Sequence, residues 1–290
     1  MLAKISITCF AASYIVAWAM ELARLFLRSG IRRAVMLAFT TAGLAAHTMF
    51  LMHRASLAAQ SPLSSWYDWY LVAAWCLAAM YLYLTLWRPE NPIGLFVLPC
   101  VLGLVGVAML SGQKEPFPAA EAARHWGLAH GLSLLAGSVA VLAGFAFGVM
   151  YLLQAWRLKH KRLSRPGLRL PSLEWLQRMN ERMIVASVFL LTLGFLAGIV
   201  SNRINHTLVP WSDPVVWSSS ILVGWMLAAT IFQALYKPAR TGRKVAYLTV
   251  FSFMFLLITL AILKFTNTSH GSGKTKTELT FGHSSHGGGR

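Results

Sequence analysis

A chain of 290 residues with 57% hydrophobic and only 12% charged side chains is not an ordinary soluble domain, in which about a quarter of the residues are charged. The formal net charge of +17 suggests nucleic acid at first sight, but the basic residues sit in short segments between apolar runs. That distribution orients membrane proteins and does not build a basic face for phosphates. Cys9, Cys76 and Cys100 lie in or beside apolar runs with no C-x-x-C pair, which argues against a disulfide framework and thiol redox chemistry.

The apolar runs predict an all-α, polytopic transmembrane helical bundle of about eight spans in residues 1–266. The first covers 5–27; no small-residue cleavage site follows it, so it reads as a retained span and not a signal peptide. Its Glu21 and Arg24 stand one turn apart near the end, where Arg can snorkel to the interface. The second span covers 34–53. The third, 66–87, opens and closes on tryptophan, which suits the headgroup level. After the turn Arg88-Pro89-Glu90-Asn91-Pro92 comes the fourth span, 93–111. The fifth, 126–156, is long enough to tilt or protrude. The strongly basic stretch after it carries Arg157, Lys159, Lys161, Arg162, Arg165, Arg169, Arg178 and Arg182. The sixth, seventh and eighth spans cover 183–200, 215–236 and 245–266. Residues 267–290, rich in Gly, Ser and His, read as a disordered tail on the outer side.

Arg and Lys concentrate in the loops after spans one, five and seven, and are sparse after spans two, four and six. The positive-inside bias therefore predicts both termini on the outer face of a multi-pass protein of the cell inner (plasma) membrane. With that orientation His130, His206 and His270 reach the same outer surface, while His47 lies inside the second span. Trp66, Tyr67, Trp126, Trp211 and Trp217 gather on the outer side, the last two flanking Asp213-Pro214. Interfacial Trp and Tyr are common in membrane proteins, and a single interfacial His is more often structural than a ligand. An aromatic shelf with facing imidazoles nevertheless suits a flat, apolar, iron-bearing ligand such as haem. No internal repeat and no pair of broken helices point to a transporter.

Three runs give a resemblance. They are HTMFLMHRASLAAQSPLSSWYDWYLVAAW from His47 to Trp75, HGLSLLAGSVAVLAGFAFGVMYLLQ from His130 to Gln154, and LPSLEWLQRMNERMIVASVFLLTLGFLAG from Leu170 to Gly198. In these the chain resembles the cytochrome c assembly family of haem-handling membrane proteins, the CcsA/ResC type and its HemX-like relatives, from about His47 to His270. The resemblance implies non-covalent b-type haem, displayed outside between His130 and His270 as iron ligands. It also implies a tryptophan-rich platform at Trp211, Asp213 and Trp217, and His47 as an intramembrane histidine. Arg203 is a candidate partner for a haem propionate. The run WSDPVVW keeps part of the family's tryptophan segment, and Tyr236 stands where a second intramembrane histidine is expected.

Two readings follow from the resemblance. One is a haem-delivery component of c-type cytochrome biogenesis, contained in lipid and presenting haem to an apocytochrome c. Because the chain has no large external domain, thioether formation would need a Ccs1/ResB-type partner, and whether the chain is itself part of the synthase is left open. The other is a HemX-like membrane regulator or scaffold that does not transfer haem.

Overall fold

The computed structural model describes residues 6–26, 30–57, 65–111, 125–161, 170–204, 214–235 and 242–265. They form eight α-helices: α1 (Ile7–Ala23), α2 (Gly30–Leu57), α3 (Trp66–Trp87), α4 (Gly94–Ser111), α5 (His125–Lys159), α6 (Leu173–Ile204), α7 (Pro214–Leu235) and α8 (Gly242–Phe265). Six are long and apolar enough to cross a membrane; the remaining apolar stretches, Ile7–Ala23 and Val216–Phe232, are shorter. A helix of 17 residues such as α1 still rises about 26 Å, close to the hydrocarbon thickness of about 30 Å. The expected all-α bundle is thus the architecture found. The expected tail, 267–290, lies outside the described residues.

The helices group into two four-helix bundles. In the first, α1 and α3 each pack against both α2 and α4. In the second, α5 and α6 share the most extensive interface, α8 packs on both, and α7 bridges α6 and α8. Among the described residues, α5 joins the bundles through its contacts with α3 and α4. The larger core runs from Phe10, Tyr14, Leu71, Tyr81 and Leu98 of the first bundle into Phe147, Met150 and Leu176 of the second. A smaller core of Val141, Leu191, Leu222, Met226 and Leu256 lies wholly within the second.

Several helices outrun their apolar spans. α6 begins at Leu173, not at 183, so Arg178 and Arg182 stand on its opening turns and not in a loop. Local chemistry explains the extension. Ser172 Oγ accepts the Trp175 backbone N–H at 3.3 Å, capping the helix. Glu174 then pairs with Arg178 at 2.7 Å, four residues on. α2 likewise extends to Gly30–Leu57, which puts Arg32 on its first turn and Arg54 on its last. The start of α3 is fixed by Ser65, whose hydroxyl accepts the Asp68 N–H and donates to Asp68 Oδ2 at 2.7 Å.

Candidate functional site

His130 sits near the start of α5, at the end of the bundle that the charge bias assigns to the outer face. Its Nδ1 lies 2.7 Å from the Gly194 carbonyl of α6. A carbonyl only accepts, so Nδ1 carries a proton, and whenever the ring is neutral its lone pair is on Nε2. A backbone carbonyl holding one ring nitrogen is the usual way a metal-ligating histidine is fixed in tautomer and orientation.

The ring fits because α6 lacks side chains where the two helices meet. A Cβ on Gly198 would stand 2.7 Å from His130 Nδ1, and one on Gly194 would stand 2.8 Å from a Leu134 methyl. Gly194 and Gly198, four residues apart, thus form a groove that receives His130 and Leu134 of α5. Small residues at this spacing are a common means of close helix approach in lipid, where apolar burial supplies little drive for helices to associate. Next to His130, a Cβ on Gly131 would meet the Trp69 ring of α3 at 2.7 Å. The imidazole therefore lies close to the seam where both bundles touch.

The same end carries a polar clamp. Arg54 Nε donates to Asp68 Oδ1 at 2.7 Å, and the guanidinium lies 4.7 Å from the centre of the Tyr67 ring. Trp126 and Trp217, on the opening turns of α5 and α7, are exposed there, Trp217 at 61%. Arg203, on the last turn of α6, is also exposed. Of the other expected outer residues, Trp211, Asp213 and His270 lie outside the described residues, as do His206 and Tyr236.

His47 occupies a different place, the core of the first bundle. It is fully buried and stacks on Phe10, with ring centres 4.1 Å apart and planes 3° from parallel. Nδ1 lies 3.3 Å from the Tyr14 hydroxyl, and Nε2 is buried with no hydrogen-bond partner. An unsatisfied buried ring nitrogen costs about 1–3 kcal/mol and calls for an explanation such as a ligand or ion. Among the described residues no group of three or more His, Cys, Asp or Glu is arranged to hold a bare metal ion. Haem makes a smaller demand: its macrocycle supplies the equatorial ligands, and the protein adds one or two axial imidazoles. His130 and His47 fit that demand by tautomer and by unsatisfied valence respectively.

Gly194, Gly198, Phe10 and Tyr14 were not among the residues expected from sequence. The first two could have been found from their spacing at the outer end of the sixth span. Nothing in the apolar pattern separates Phe10 and Tyr14 from other span-one aromatics.

The family described as cytochrome C assembly protein matches residues 7–270 of this chain. Cytochrome c biogenesis protein CcsA of Gloeobacter violaceus is 22% identical along 252 aligned residues, which cover 68% of this chain and 74% of the relative. The family match takes in all eight helices together with His47 and His130. The chain belongs to the cytochrome c assembly protein family.

Proposed function

We propose that this chain is a haem-handling, haem-delivery component of c-type cytochrome biogenesis, acting in the cell inner membrane. In this reading b-type haem is held non-covalently on the outer face, with His130 and His270 as axial ligands. Trp211 and Trp217 pack its faces, and Asp213 belongs to the same segment. The observation that carries the reading is the His130–Gly194 arrangement. It fixes one ring nitrogen on a main-chain carbonyl between two closely packed helices, and Gly198 keeps the space the ring needs. His47 is a second imidazole for haem inside the bundle, supported by its unpartnered Nε2. Bound haem supplies the reactive macrocycle; the chain's own residues hold, orient and present it to an apocytochrome c. A Ccs1/ResB-type partner completes attachment.

The absorption spectrum of the detergent-purified protein tests this. A bis-imidazole haem spectrum that is lost in the His130→Ala, His270→Ala double variant is the expected result. A second reading, a HemX-like regulator that does not transfer haem, is favoured by Tyr236 in place of a second intramembrane histidine. A protein that stays colourless when expressed with excess haem precursor would favour that reading in its place.

A further inference from the structure

At the end of the second bundle that the charge bias assigns to the inner face, the first half of α6 carries an open trench. Arg178, Glu181, Arg182, Val185, Ala186 and Phe189 line it, around a volume of about 510 Å³. Residues 178, 182, 185 and 189 follow the spacing of one helix face, so the lining forms a single strip with two arginines first and apolar side chains after. From Arg182 to Phe189 the strip runs about 10 Å along the axis. The opposite face of α6 holds the buried residues Leu176, Asn180, Ile184, Ser187 and Leu191. Among the described residues no other helix covers the strip, and Val185 and Phe189 are 57% and 67% exposed.

The strip keeps cationic capacity that the protein itself does not use. Arg178 donates to Glu174 at 2.7 Å, but both side chains are mostly exposed, where an ion pair is weak and easily exchanged. Glu181, the carboxylate in the lining, already accepts from Gln177 Nε2 at 2.9 Å. Arg182 has no hydrogen bond or ion pair among the described residues. The surroundings add positive charge. The Asn180–Thr249 hydrogen bond sets the start of α8 beside the start of α6, and the Phe147–Trp175 contact does the same for the second half of α5. Arg157 and Lys159 of α5 and Arg243 and Lys244 of α8 therefore stand at the same end, where basic side chains outweigh Glu174 and Glu181.

A phosphodiester with a net negative charge and an apolar tail matches the strip in the order its residues occur. Arginine forks suit phosphate oxygens, Val185 and Phe189 lie one and two turns deeper in the span, and a basic end favours anionic over zwitterionic lipid. We propose that this strip seats an acidic phospholipid of the phosphatidylglycerol class, its phosphate on Arg182 and Arg178 and one acyl chain along Val185, Ala186 and Phe189. The site goes beyond the haem-handling reading and does not depend on it.

The full chain, stripped of lipid in detergent, is titrated with phosphatidylglycerol, with phosphatidylethanolamine and with glycerol 3-phosphate, and lipid retention is read by native mass spectrometry. Phosphatidylglycerol is expected to bind about tenfold tighter than phosphatidylethanolamine, the size of one charge-assisted hydrogen bond. Arg182→Gln should bring phosphatidylglycerol down to the level of phosphatidylethanolamine. Arg33→Gln removes the same charge from the first bundle and should leave the preference intact, while Phe189→Ala should weaken both lipids alike. All three side chains are exposed, so the variants should keep the wild-type thermal midpoint without lipid. Equal binding of both lipids by the wild type would overturn the proposal. So would equal losses in the Arg33 and Arg182 variants, which would reduce the effect to net charge. Unchanged retention in Phe189→Ala, or full displacement of the lipid by glycerol 3-phosphate, would overturn it as well.

Discussion

The two bundles of this chain solve the same problem by different means. Helices in lipid cannot rely on apolar burial to hold one another, so they use close backbone approach, polar cross-links or both. The first bundle has two close glycine approaches, Gly43 against Ser13 and Gly94 against Tyr81, but most of its ties are side chains: Arg54 to Asp68, Tyr81 to Glu21, Trp75 to Thr48 at 2.8 Å, and Tyr14 to His47. The second is drawn together by absent side chains. A Cβ on Gly137 would clash with Leu191, one on Gly144 with Thr249, and one on Gly148 would crowd the Ala246 carbonyl. Gly194 and Gly198 continue that seam on α6 to the ring of His130. A glycine seam fixes two backbones at one separation, so a ligand held across it is positioned by the main chain. A polar cross-link leaves its long side chains more freedom. The difference places one imidazole, His130, against the glycine seam of the second bundle and the other, His47, among the side-chain ties of the first.

The largest expected effect comes from filling the glycine seam. Gly198→Leu should cost about 3 kcal/mol through overpacking and displace the His130 ring, so both the thermal midpoint and the haem-to-protein ratio fall together. If haem content held while stability dropped, the seam would not be what positions the ring. Breaking the clamp of the first bundle should separate the two readouts. Asp68→Ala leaves Arg54 without its acceptor and costs about 2 kcal/mol, with the haem-to-protein ratio of the folded fraction unchanged.

Among the described residues the second bundle also has polar ties, Trp225 Nε1 donating to Ser252 Oγ at 3.3 Å and Thr249 Oγ1 donating to Asn180 Oδ1 at 2.8 Å. Thr249→Val should cost about 1 kcal/mol, the scale of interhelical hydrogen bonds in membranes, and a much larger loss would blur the contrast between the bundles. The smallest expected change is at His47. His47→Phe removes an unsatisfied nitrogen but leaves the buried Tyr14 hydroxyl without its partner, so two opposed effects of about 1–3 kcal/mol each should offset to a net change within about 1 kcal/mol. A marked destabilisation would mean that Nε2 has a structural partner in the folded protein.

The spans and their number were readable from the sequence because lipid imposes long uncharged runs that few soluble folds contain. The first turns of α6 were not, since Arg178 and Arg182 look like loop charges until the Ser172 cap and the Glu174–Arg178 pair are recognised as helix chemistry. Glu21 and Arg24 were read as one turn apart near the end of the span, and they do meet at 3.7 Å. The structure also buries the carboxylate under Tyr81, a contact between residues sixty positions apart that no local pattern encodes. His130 stood out in the sequence because an imidazole inside an apolar run is costly and therefore conspicuous. Its orientation was missed because it depends on a carbonyl of another helix. The glycine spacing that makes room for it, Gly194 and Gly198, was visible but points to close packing as readily as to a site.

The most direct measurement is the spectrum of a His130→Gly variant with and without added imidazole. If His130 ligates haem iron from the α6 groove, the variant loses the bis-imidazole spectrum of the wild type, and free imidazole, entering the space left by the ring, restores it. A His130→Gly protein that keeps the wild-type haem spectrum without imidazole would contradict the account.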